Sequence, residues 1–159
     1  MPTKSPKRGK APPPLFAVKD IRAYIREKAA VIAPADVEAL VAREREVLER
    51  AERETDHPLL RRQAELAARI LGDHASRLSP QIPYFTISLL AVALFYFLDP
   101  ADLIPDWIPK LGTSDDALVV ELAFEMGAAG VQRYCDWKGI STEGILPVAR
   151  RRLSRAARK

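Results

Sequence analysis

The chain is poor in the residues that most often carry chemistry. Cys135 is its only cysteine, and His57 and His74 are its only histidines, in 159 residues. A lone thiol forms no intrachain disulfide, so a reducing compartment suits the chain. Neither a histidine nor a basic residue is placed to activate Cys135, which therefore reads as a small apolar side chain. His57 and His74 lie far apart and lack ligand spacing, so no zinc site is expected. There is no Gly-rich phosphate loop and no calcium-loop spacing. Nothing here points to an enzyme or a cofactor.

Charge of one sign is missing at both ends. Residues 1–14 hold Lys4, Lys7, Arg8 and Lys10 and no acid. Residues 150–159 hold Arg150, Arg151, Arg152, Arg155, Arg158 and Lys159, again with no acid. The remaining 15–149 hold 15 basic groups against 21 acidic ones, an acidic body between basic ends. Such ends suit an anionic lipid surface or a nucleic acid. The aromatic residues lie in the apolar middle and are not interleaved with the basic ends. A stacking platform for bases is therefore lacking, and nucleic acid is not the expected partner. Pro12, Pro13 and Pro14 stand where the apolar core of a secretory signal would follow, so the start reads as a disordered, Pro-rich tail.

A third absence is the most informative. No charge occurs between Arg77 and Asp99. Pro80 and Pro83 interrupt the start of this run, which leaves a helix over Tyr84–Leu98. At 1.5 Å per residue that helix is about 22 Å long, short of a hydrocarbon core of about 30 Å. It is expected either inside a protein core or shallowly in a membrane interface. Phe85, Phe95, Tyr96 and Phe97 near its ends fit an interfacial belt or a buried helix equally.

Around this run the pattern is helical throughout. Val18, Ile21, Tyr24, Ile25 and Ile32 form one stripe. Pro34 opens a second helix, with Val37, Leu40, Val41, Val47, Leu48 and Ala51 as its stripe and Glu46–Arg50 and Glu49–Arg53 as expected i,i+4 pairs. Pro58, capped by Asp56 or His57, opens a third helix running to about Leu78. Leu59, Leu60, Ala67, Ile70, Leu71 and Leu78 are its candidate core. After the uncharged run, ALVVELAFEMGAAGVQRYCDW places Glu121 and Glu125 on one wet face. Ala123, Gly127 and Gly130 give a small-residue surface for close packing. GILPVARRRLSRAARK reads as a basic amphipathic end, a signature of membrane surfaces.

Between the last two apolar helices lies FYFLDPADLIPDWIPKLGTSDD. Pro100 ends the preceding helix by excluding Asp99 from the α region. Asp102 suits a cap, Pro105 and Pro109 stiffen the connection, and Gly112 permits positive φ. Asp115 and Asp116 fall in the first turn of the next helix, where they favour its dipole. Asp106 has no such duty, so Asp102 with Asp106 is the candidate polar site. Clustered carboxylates can hold a hard cation, but capping uses the same aspartates without a metal.

This segment resembles the signature of the DUF1232 (YkvA-like) family: Tyr96–Pro109, then Leu111–Gly112 and Asp115–Asp116. The resemblance implies a small helical domain, often membrane-associated, with no established reaction and hence no catalytic residues. Ala101, Lys110 and Thr113–Ser114 depart from the family pattern.

The expected fold is all-α: a small helical bundle with a helix–corner–helix hairpin. The expected parts are a tail over 1–14, about three helices over 15–79, the hairpin over 80–138 and a basic amphipathic tail over 139–159. The expected function is a non-enzymatic protein on the cytoplasmic side of a membrane, with Trp107, Arg150, Arg151, Arg152 and Arg155 at a membrane or partner surface. The alternatives are a cytoplasmic helical interaction module, with a protein partner or self-association, and a carboxylate cation site or metal-dependent enzyme.

Overall fold

The computed structural model describes residues 14–79, 81–99 and 115–146, with the backbone alone for 14–19, 115 and 116. Among them seven helices and no strand are present: α1 (Pro14–Ala29), α2 (Pro34–Ala42), α3 (Glu44–Glu52), α4 (Pro58–Ala75), α5 (Tyr84–Leu98), α6 (Asp115–Met126) and α7 (Ala128–Lys138). The protein is an all-α bundle.

The uncharged run decides the layout. A helix made of YFTISLLAVALFYFL has no polar stripe to turn to water, so it must be covered all round. α5 packs against every other described helix, and 11 of its 15 residues are buried. Ile87, Leu89, Leu90, Leu94 and Phe97 are at most 1% exposed. Fully burying such side chains contributes about 1.5–3 kcal/mol each. Tyr96 and Phe97 are covered by protein, while Phe85 at the other end is 46% exposed. No described helix is long and apolar enough to cross a membrane.

Prolines fix several starts. Pro34 and Pro58 lie in the first turns of α2 and α4, where a missing N–H is harmless. His57 holds the cap position of α4 but makes no side-chain capping bond. Asp36 accepts the Ala33 N–H at 2.8 Å. The long second helix expected from Pro34 onward is two helices. At Arg43 the backbone leaves the α region (φ −101°, ψ 18°) and the chain bends. Glu46 pairs with Arg43 there, and the Arg50 guanidinium lies over the Phe97 ring at 5.4 Å.

Three candidate core residues are not in the core, the half-buried Leu59 among them. Leu48 is 38% exposed and Leu78 63% exposed. Leu78 lies beyond the end of α4, which stops at Ala75, so helical periodicity no longer applies to it. Val18 lies outside the described side chains. The last segment also differs from expectation. Ile145 and Leu146 are buried, and buried Gln63 donates its Nε2 hydrogen to the Ile145 carbonyl at 2.7 Å. The chain from 139 to 146 is therefore part of the bundle and not the start of a tail.

α6 and α7 form where a single helix was expected. Gly127 separates them (φ −103°, ψ 21°). Gly127 and Gly130 both face Thr86 at the start of α5. A Cβ on Gly130 would stand 2.2 Å from Thr86 Oγ1 and 2.7 Å from its Cβ. The small residues read from the sequence thus serve close packing on α5. Gly130→Ala is expected to lower stability by about 1–2 kcal/mol, overpacking outweighing the better helix propensity. The penalty should shrink in a Thr86→Ala background. Equal penalties in thermal melts of the two backgrounds would contradict this contact.

Candidate functional site

The hairpin read from the sequence is α5 with α6, the most extensively packed pair of helices. The chain beyond α6 returns to the start of α5, where Gly127 meets Thr86 and Leu89. α6 begins at Asp115, so Asp115 and Asp116 lie in its first turn as expected. Pro100, Asp102, Pro105, Asp106, Trp107, Pro109 and Gly112 lie outside the described residues, as do Arg150, Arg151, Arg152 and Arg155.

Asp99, where the corner begins, is described and held. Arg43 Nη1 donates to Asp99 Oδ2 at 3.1 Å. The same guanidinium donates Nε and Nη2 hydrogens to the two oxygens of Glu46, each at 2.9 Å. The bend between α2 and α3 thus aims one arginine at two carboxylates, one local and one across the bundle. The bonds to Glu46 and then Asp99 raise the Arg43 pKa above its ordinary value, and the bond from Arg43 holds the Glu46 carboxyl below its own. Sequence reading assigned neither Arg43 nor Glu46 to the corner, because 56 residues separate Arg43 from Asp99. A double-mutant cycle with Arg43→Ala and Asp99→Ala should give a coupling of up to about 1 kcal/mol, fading as salt is added. Zero coupling at low salt would contradict an ionic anchor.

A second, partly buried polar link joins α4 to α7. Tyr134, fully buried, donates its hydroxyl to Asp73 Oδ2 at 2.6 Å, and Lys138 Nζ donates to the same oxygen at 3.2 Å. Burial works to raise the Asp73 carboxyl, but the bonds from Tyr134 and Lys138 outweigh it and hold the group below its usual value. Burial and then the Asp73 carboxylate push the Tyr134 phenol up. A carboxyl lowered on folding stabilises the fold above its unfolded pKa of about 3.9, and that contribution is lost as pH falls through the lower folded value. Tyr134→Phe should therefore flatten the loss of stability on acidification below about pH 4. An unchanged slope in acid-unfolding curves would argue against the link.

Chemistry at the described residues is otherwise sparse. Cys135 is buried, and burial pushes its thiol up to about 11, which suits a packing role. Burial also lowers the His74 pKa. Among the described residues no cluster of three or more His, Cys, Asp or Glu could hold a metal ion. Glu121 is exposed, and Glu125 accepts from Arg22 of α1 at 2.8 Å, so this wet face is partly an ionic seam.

The other end of α5 is built differently. Tyr84 donates its hydroxyl to the Ile32 carbonyl at 3.2 Å, and its ring lies 6.2 Å from His74. The α1–α2 loop, the end of α4 and the start of α5 therefore meet there. Val31, Leu78, Tyr84 and Phe85 are all exposed at this end.

The family model described as "Protein of unknown function (DUF1232)" matches residues 86–122. Over that segment the chain is similar to the DUF1232 family. It runs from Thr86, the contact point of Gly130, through α5 and the corner to the middle of α6. The DUF1232 match thus covers the buried spine and its hairpin, while Arg43, which holds Asp99, and its partner Glu46 come from outside it. No curated protein and no solved structure matches the chain.

Proposed function

We propose that the protein is a non-enzymatic, helical, membrane-associated protein whose contact with the bilayer is peripheral. The observation that carries this reading is the division of charge along the chain. Ten basic residues and no acid occupy residues 1–14 and 150–159, and the body between them is acidic. Each Lys or Arg near an anionic surface contributes about 1 kcal/mol of attraction at moderate ionic strength. Cytoplasmic leaflets carry that surface charge, which supports a location on the cytoplasmic side. The corner then serves to fix the hairpin, not to carry out a reaction.

A second reading, a helical protein-interaction module, is supported by the coverage of α5. Because α5 is enclosed by protein, the apolar run by itself gives no reason for lipid insertion. The carboxylate cation site draws on Asp99, Asp102, Asp106, Asp115 and Asp116, of which Asp102 and Asp106 lie outside the described residues.

Sedimentation with vesicles separates the two readings. Phosphatidylcholine vesicles containing phosphatidylserine should bind the full chain at low salt, and pure phosphatidylcholine should not. Binding should fall steeply towards about 1 M salt, where the Debye length is about 3 Å. Deleting residues 1–14 and 150–159 should remove most of this salt dependence. Complete recovery of the full chain in the supernatant at low salt would overturn membrane association and leave the interaction module.

A further inference from the structure

The end of the bundle opposite Asp99 has a composition unlike the rest of its surface. Two loops meet there. Ala29–Ala35, AAVIAPA, contains no charged residue, and neither does the stretch from Leu78 to Phe85. The bond from the Tyr84 hydroxyl to the Ile32 carbonyl ties them together. Val31 is 73% exposed, Leu78 63%, Phe85 46% and Tyr84 41%. Exposed apolar residues scattered singly need no explanation, but four on two joined, uncharged loops form a patch.

The local backbone holds part of this patch outward. α4 closes with two bonds, Leu78 N–H to the Asp73 carbonyl at 2.9 Å and Arg77 N–H to the His74 carbonyl at 3.1 Å. This is the double bond pattern in which the residue between is left-handed and is usually glycine. Here it is Arg77, at φ 60°. An L residue with a side chain is disfavoured in that region, because its Cβ crowds the following carbonyl oxygen. The hydrophobic residue after it commonly tucks back onto its helix, but Leu78 points to solvent. The turn thus presents a cation and a leucine side by side at a conformational penalty.

The rim is basic. Arg77 is exposed, Lys28 lies in the last turn of α1, and exposed Arg133 reaches the Gln81 carbonyl at 3.0 Å. Of the acids nearby, Asp73 is bonded to Tyr134 and Lys138, while Asp36 accepts only the neutral Ala33 amide and keeps its charge beside Tyr84, offsetting one cation of the rim. Glu27 offsets part of the remaining positive charge. An apolar, aromatic centre with a cationic rim matches the boundary between acyl chains and anionic headgroups.

We infer that this end of the bundle is the face that enters an anionic phospholipid surface, with Val31, Leu78, Tyr84 and Phe85 reaching below the headgroups and Lys28, Arg77 and Arg133 remaining among them. The inference rests on the membrane reading above and assigns the apolar half of the contact to a specific end of the fold. Basic termini bring the chain to the surface; the uncharged loops hold it there.

The test uses the full chain and vesicles of phosphatidylcholine with phosphatidylserine. Leu78→Ser with Phe85→Ser should weaken binding at least about tenfold, a loss of roughly 1.4 kcal/mol, and should leave the salt dependence as it is. The melting temperature should fall by far less than for a core substitution, because Leu78 is 63% and Phe85 46% exposed in the free protein. An environment-sensitive dye on Phe85→Cys should shift to the blue on adding these vesicles. Binding unchanged by the double substitution, with no dye shift, would overturn the inference while leaving tail-driven association intact. Absence of vesicle binding by the unsubstituted chain would overturn both. Concentration-dependent dimerisation abolished by the same substitutions, without vesicle binding, would show that a second copy covers the patch and would also overturn it.

Discussion

A helix with no charged side chain along 15 residues has no face to give to water. That constraint organises the protein. α5 is enclosed by α1, α2, α3, α4, α6 and α7, each of which contributes an apolar stripe inward and keeps its charges outward. The breaks in the covering helices follow from the same requirement. Arg43 bends the second helical segment so that both of its halves reach α5. Gly127 and Gly130 let the chain beyond α6 fold onto Thr86, and at Gly130 any side chain would be too large. The stabilising term is burial of large aliphatic and aromatic residues, and ionic links trim the geometry at the surface.

The two ends of α5 are treated differently, and the difference bears on function. At Asp99 the chain is gripped by the forked guanidinium of Arg43, which also holds Glu46. The Asp/Pro-rich corner therefore starts from a fixed point. At Tyr84 the grip is a phenol-to-carbonyl bond, and exposed apolar side chains on uncharged loops stand inside a rim of charged residues. A membrane role, on this architecture, concerns the surface of the bundle and its basic termini. The apolar run that first suggests lipid is used up in the core.

Much of this was legible in the sequence, and what was not has local causes. Pro83 before the helix and Pro100 after it mark the limits of Tyr84–Leu98, and α5 spans those residues. The DUF1232 resemblance over Tyr96 to Asp116 agrees with the family match, because its prolines and aspartates stand at fixed spacing. Ala123, Gly127 and Gly130 announced close packing. The bend at Arg43 was not legible, since AREREVLE is good helix sequence and only the demand of covering α5 and reaching Asp99 bends it. Leu78 was assigned to the core by extending helical periodicity past the point where the left-handed Arg77 ends the helix. Ile145 and Leu146 were assigned to a tail because the arginines after them dominate the composition. Their burial depends on Gln63, 82 residues away from Ile145. The candidate polar site at Asp102 and Asp106 lies outside the described residues, and only Asp99 of the inner corner is seen in contact.

The central claim is that α5 is the interior of a protein and not a segment waiting for lipid. Amide hydrogen exchange on the full chain in detergent-free buffer tests it most directly, read with and without anionic vesicles. The expected result is that the amides of Ile87–Phe97 are among the slowest in the protein in buffer alone and stay so with vesicles, because they open only on global unfolding. Fast exchange of α5 in buffer, with protection gained only on adding vesicles or detergent, would contradict it.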